Sequence, residues 1–222
     1  MTQLTSRDEA MLDWMNVVRL ADVDAIRWAL SAHQDGHDGP VSVRRANYWI
    51  ARMAELGYLG RVRPMYRDRQ IVWPTYRSSG RSAPSLFRQT MRHELAVASV
   101  SGRFVAAGYQ WQRDRQPVSR RDHQADGVAT LAGRRELIEV ELTVKKVARY
   151  ELIFANHSDR VREHEVTKVL YFSTPEVNAI VLREAKRLIF RTQLDQFLFT
   201  PCMDAQGRFV SVSSEVDGLA DR

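Results

Sequence analysis

The sequence predicts an α+β protein of two domains: a helical amino-terminal domain ending in a basic hairpin, then an α/β domain. Three observations predict it. Apolar residues recur at helical spacing as far as Leu56 and at strand spacing beyond it. Strand and helix patterns then alternate through the second half. Between the two lies RSSGRSAP, residues 77–84, which has no apolar period and reads as a linker. The expected domains are therefore 1–76 and 85–200, with 201–222 as a carboxy-terminal segment that frays from Ser211 onward. A chain of 222 residues can bury two such cores.

Element by element, Ser6 caps a first helix in which Met11, Trp14, Met15 and Val18 face inward, with Asp8 and Glu9 in the first turn. Asp22 precedes a short second helix carrying Val23, Ile26 and Leu30, and a polar, glycine-rich loop follows over 33–40. A third helix starts at Ser42, buries Ala46, Trp49, Ile50, Met53 and Leu56, and stops at Gly57. Residues 59–65 and 70–74 read as two strands joined by Tyr66, Arg67, Asp68 and Arg69. Three helices followed by a hairpin with an arginine-rich tip form a winged helix-turn-helix pattern. The phrase Arg52-Met53-Ala54-Glu55-Leu56-Gly57-Tyr58-Leu59 resembles the run from third helix into wing in winged-helix regulators.

Charge placement says what such a domain would meet. The chain carries +6 with a pI near 9.8, but residues 1–40 hold three arginines against seven acids, whereas 41–88 hold ten arginines against Glu55 and Asp68. Basic charge gathered on one half of a small domain is what neutralising phosphates requires. The outward face of the third helix is read as Arg44, Arg45, Asn47, Tyr48 and Arg52, side chains suited to base edges and phosphates, with Arg61, Arg63, Arg67 and Arg69 on the hairpin. The expected partner is double-stranded DNA. The expected assembly is a homodimer, because such motifs commonly read paired half-sites.

In the second half, residues 85–105 are expected to form a strong helix with Leu86, Phe87, Met91, Leu95, Ala98 and Val105 toward a core and His93 and Glu94 near its middle. Strands are expected at 109–112, 126–131 and 136–144, then a helix at 147–157, a buried strand at 168–173, a helix capped by Thr174 and opened by Pro175 that runs to Leu188, and a last strand within 193–200. Parity sorts the 136–144 strand: Ile138, Val140, Leu142 and Val144 on one face, Leu137, Glu139, Glu141, Thr143 and Lys145 on the other. Glu139 and Glu141, with Asp126 on the preceding strand, could hold a hard cation such as Mg2+; a strand with one solvated face would alternate in the same way.

The run from Glu94 through Asp126, a hairpin, Ile138-Glu139-Val140-Glu141, a helix and Val169-Leu170-Tyr171-Phe172 resembles the PD-(D/E)XK nuclease fold. The whole chain resembles the replication-relaxation proteins of actinobacterial plasmids, integrative elements and phages. The resemblance implies a mobile-element protein in transcriptional control, replication or transfer, and a nuclease-like domain with Glu94, Asp126 and Glu139 as metal ligands. In an active PD-(D/E)XK nuclease the third motif is acid, any residue, lysine; here Glu141 stands where lysine belongs, and Lys145 would lie roughly 13 Å away along an extended strand. The nuclease-like domain is therefore read as inactive, with a metal-dependent endonuclease using Glu94, Asp126, Glu139, Glu141 and Lys145 as the alternative, and a relaxosome interaction module as a third reading.

Other chemistries are not encoded. Histidines 33, 37, 93, 123, 157 and 164 show no ligand spacing, Cys202 stands alone, and there is no GxSxG, Walker or dinucleotide motif. No small-molecule cofactor is expected, nor a membrane partner, since no apolar run reaches the roughly 20 residues of a spanning helix. The amino terminus carries acids rather than a signal sequence, so a cytoplasmic, nucleoid-associated location is expected.

Overall fold

The computed structural model describes residues 3–34, 36, 39–64, 70–86, 90–119 and 122–210. The hairpin tip with Arg67 and Arg69, Phe87, and the segment from Ser211 lie outside the described residues. The chain is an α+β protein that divides into two units, Met1–Trp111 and Gln112–Arg222.

In the first unit, α1 (Ser6–Val18) is capped by Thr5, one residue before the serine expected for that role. Asp8 N donates to Thr5 Oγ1 at 3.2 Å and Thr5 N donates to Asp8 Oδ2 at 2.9 Å, so two orphan amides of the helix end are satisfied reciprocally. Arg19, in the left-handed region, ends the helix. Then β1 (Ala21–Asp22) leads into α2 (Val23–Ser31), where Ala25 N donates to the Asp22 carboxylate at 2.9 Å. Ser42 caps α3 (Val43–Glu55), which stops at Gly57 with φ +78°. A hairpin follows, β2 (Leu59–Val62) and β3 (Ile71–Pro74), in the register Leu59↔Pro74 to Val62↔Ile71. β1 pairs with β3, giving an antiparallel sheet ordered β1-β3-β2.

The expected linker is folded onto this unit. Residues Tyr76–Ser79 form a helical turn, α4; the Arg77 guanidinium lies 4.6 Å over the Tyr58 ring and donates to Leu56 O at 2.9 Å, capping α3. The next helix, α5 (Met91–Ala106), also belongs here rather than to the second domain. Its small residues explain why. Ser101 accepts from the Trp14 indole at 2.8 Å, and Gly102 lies so close to α2 that a Cβ there would sit 2.6 Å from Ala25 O. Met91 and Leu95 join Leu20 and Ile71 in one apolar cluster. The division of the chain thus falls between Trp111 and Gln112, not at 77–84.

Strand β4 (Gln110–Gln112), within which the division falls, is an edge of a second sheet ordered β4-β5-β6-β7-β8. β5 (Gly127–Leu131) and β6 (Arg134–Glu141) form an antiparallel hairpin turned by Ala132 and Gly133, both at positive φ. α6 (Val147–Arg162) crosses to β7 (Lys168–Ser173), parallel to β6; α7 (Pro175–Leu188) and the turn α8 (Arg191–Leu194) cross to β8 (Phe197–Pro201), parallel to β7. Leu137, Val169, Tyr171 and Phe197 of the sheet share a core with Tyr150, Phe154, Val177 and Val181 of α6 and α7. By parity Glu139 lies on this helix-covered face.

Two buried charges pin the start of the unit. Arg160, on α6, makes a two-pronged bond to Asp114 at 2.7 and 2.8 Å, and Asp114 also accepts from Ala125 N at 2.8 Å. None of the described helices is long and apolar enough to cross a membrane.

Candidate nucleic-acid interface

The local chemistry of α3 separates a buried stripe from an open face. Ala46, Trp49, Ile50 and Met53 are buried, while Arg44, Arg45, Asn47 and Tyr48 are exposed, Tyr48 to 71%. The first turn holds no acid. Arg45 donates to the neutral Gln34 amide oxygen at 2.9 Å, and no acid among the described residues pairs with Arg44 or Arg45. Beside this face lie Arg61 of β2 and Arg63 just after it, both exposed, and with Asn47 and Val43 they border an open recess reaching Arg27 and Gln70. The acid at its margin, Asp24, is paired with Arg27 at 3.1 Å and Arg103 at 3.3 Å.

Arg52 departs from the expectation. Although helical spacing places it with Arg45 and Tyr48, its guanidinium is bonded to Asp8 of α1, which is fully buried and also accepts from the Trp49 indole at 3.0 Å. Burial alone would raise the Asp8 carboxyl; Arg52, Thr5 and Trp49 outweigh it and hold it at about 2. Arg52 is thus committed to the fold and is not part of the outward set. Arg67 and Arg69 lie outside the described residues.

The expected metal and catalytic residues fare differently. Glu94 lies in the first turn of α5 and belongs to the first unit, while Asp126 and Glu139 belong to the second. Glu139 and Glu141 are neither solvated nor arranged for Mg2+: both are buried, at 4% exposure. Glu139 Oε1 accepts from His123 Nε2 at 2.9 Å and from His157 Nε2 at 2.8 Å. Burial would raise the Glu139 carboxyl, but the two imidazoles hold it far below the usual carboxylate range. Asp126 Oδ2 accepts from Val140 N at 2.8 Å.

His123, Glu139 and His157 bring three potential ligand atoms within 4.8 Å, yet the proton positions oppose a metal. Arg149 can only donate, so His123 Nδ1, 3.0 Å from it, must accept. The His123 proton therefore sits on Nε2 and points at Glu139, occupying the lone-pair position a metal would need. A ligating histidine donates from its other nitrogen to an acceptor; here that nitrogen faces a cation in His123 and has no partner in His157. Mg2+, which takes oxygen ligands, fits still less. The group is a hydrogen-bonded network, Arg149 to His123 to Glu139, with His157 donating from the other side.

Lys145 corrects a distance argument. β6 ends at Glu141 rather than Val144, and the chain bends at Leu142 and Thr143, so the Lys145 amine folds back and bonds to Glu141. Burial lowers the Lys145 pKa, against the opposing fields of Glu139 and Asp126. Tyr171, in register with Glu139 on β7, has a buried hydroxyl without a hydrogen-bond partner, and burial followed by the Glu139 charge pushes its pKa well up.

Sequence reasoning missed His123, His157 and Arg149. For His157 a signal existed: it continues the inward stripe Tyr150, Ile153, Phe154, His157 and Val161 of α6. Comparison of the chain with protein-family models, with characterised proteins and with solved structures finds no match.

Proposed function

We propose that this chain binds double-stranded DNA sequence-specifically through a winged helix-turn-helix in its first unit. The observation that carries the reading is the α3 face of Arg44, Arg45, Asn47 and Tyr48, exposed and, among the described residues, unopposed by acids, with Arg61 and Arg63 of the hairpin exposed as well. The order helix, strand, helix, helix, hairpin with strands paired β1-β3-β2 supports it. Arginine and asparagine side chains on a helix the width of the major groove can read guanine and adenine edges, while hairpin arginines neutralise the backbone. The resemblance to replication-relaxation proteins suggests a role in transcriptional control, replication or transfer of a mobile element, with a homodimer on paired half-sites and a second unit of PD-(D/E)XK-like ancestry.

Gel retardation of the full chain tests the reading. Arg45→Ala and Asn47→Ala remove preference for the selected site, a loss of about 1–3 kcal/mol of discrimination each, whereas Arg61→Ala weakens selected and random duplexes alike. Equal losses on both duplexes for all three variants would contradict it.

A metal-dependent endonuclease is the second reading, favoured by the Lys145 amine folded onto Glu141 and opposed by the two imidazoles that occupy Glu139. Nicking of supercoiled plasmid in Mg2+ or Mn2+, lost in Asp126→Ala and Glu139→Ala, would establish it. No nicking in either metal removes it.

A further inference from the structure

A second basic feature lies on the first unit and shares Arg45 and Tyr48 with the α3 face. Arg7 of α1, Arg45 and Arg52 of α3, Gln34 and Tyr48 line one pocket, floored by Trp49 and Leu30. Three arginines line it, and no carboxylate is among its lining residues. Asp8, which binds Arg52, has both oxygens occupied: Oδ1 takes the Trp49 indole and Arg52, Oδ2 takes Thr5 N and Thr5 Oγ1. Asp8 therefore anchors Arg52 in the wall, and no acid among the described residues pairs with Arg7 or Arg45.

Arg7 supplies the independent sign that something is missing. Its Nε is buried and has no hydrogen-bond partner. A buried donor normally finds an acceptor, and Arg7 is one of the residues that line the pocket. Nearby, burial and then the positive charge of Arg7 lower the pKa of His33, so that imidazole is held toward its neutral form. Two rim residues, Arg45 and Tyr48, are exposed on the outward face of α3, so a group entering the pocket lies next to whatever that face binds.

We infer that the Arg7–Arg45–Arg52 pocket is a phosphate site that takes one backbone phosphate of the duplex lying on α3. Guanidinium forks match phosphate oxygens in pairs, and the monoanionic phosphodiester of a duplex backbone supplies acceptors for the arginines that line the pocket. The inference rests on the DNA-binding reading and adds α1 to the interface: Arg7 clamps the backbone while α3 reads bases. Arg52 contributes from the wall, held there by Asp8.

The test uses the full chain and a fluorescent duplex titrated between about 50 and 200 mM NaCl, where one phosphate contact contributes a slope near −0.9 in log K against log salt. Arg7→Gln is expected to flatten that slope by about 0.9 and to weaken selected and random duplexes by the same factor; Arg7→Lys, which keeps the charge, retains the slope. Sodium phosphate, compared with sodium chloride at matched ionic strength, is expected to raise the melting temperature of the wild type and not of Arg7→Gln. A folded Arg7→Gln protein with an unchanged slope, or equal phosphate stabilisation of both proteins, overturns the pocket while leaving DNA binding standing. A wild type that binds no duplex, yet is stabilised by phosphate through Arg7, overturns the DNA source and with it the reading on which the inference rests.

Discussion

Asp8 accepts hydrogen bonds from Thr5 on its own helix and from Trp49 and Arg52 on α3, so one carboxylate caps α1 and fixes the rotation of α3 against it. Its pKa of about 2 against an ordinary 3.8 gives the sign of the pH dependence. The stabilisation is complete above pH 3.8 and is lost as pH falls toward 2, amounting to about 2 kcal/mol by linkage. Asp8→Ala leaves a buried indole N–H and an arginine without their acceptor, and urea unfolding is expected to show a loss of about 3 kcal/mol; a change below about 0.5 kcal/mol would refute this role. Asp8's place in the first turn was legible, but its part in the cap with Thr5 was not, since pattern reading assigns the cap to Ser6. Its partnership with Arg52, 44 residues away, was not, because a helical wheel sorts side chains by angle and says nothing of what another helix brings to meet them.

For whole elements, α5 shows where pattern reading runs out. Its amphipathic stripe was legible, but a stripe does not name its partner. The run Ala98, Ser99, Ser101 and Gly102 offered the clue, since small residues permit the close helix contact seen against Ala25. Gly102→Ala would place a methyl group 2.6 Å from the Ala25 carbonyl oxygen, backbone that cannot swing aside. The expected cost is about 1–3 kcal/mol in urea unfolding; an unchanged or raised midpoint would show that α5 can move away. In β6 the alternation was legible but its meaning inverted, because the face carrying Glu139 is the one α6 and α7 cover. Two-residue periodicity distinguishes the faces of a strand without telling which is wet when both are buried. The His123–Glu139–His157 network predicts that EDTA leaves the melting temperature of the purified chain unchanged and that equimolar Zn2+ does not raise it; a chelator-induced fall of several degrees would make the network a metal centre instead.

At the scale of the molecule, the charge asymmetry in the sequence maps onto one surface of the first unit: acids of residues 1–40 such as Asp8, Asp22 and Asp24 cap helices or pair with arginines, while Arg44, Arg45 and Arg61 are left toward solvent. That disposition is the central claim, and selection of duplexes from a random pool by the purified full chain, followed by binding of the recovered sequence, measures it most directly. The account predicts a recurring motif bound at least about 1,000-fold more tightly than random duplex at physiological salt, with the preference abolished by Asn47→Ala. Recovery of no motif, with equal affinity for all duplexes before and after selection, would contradict it.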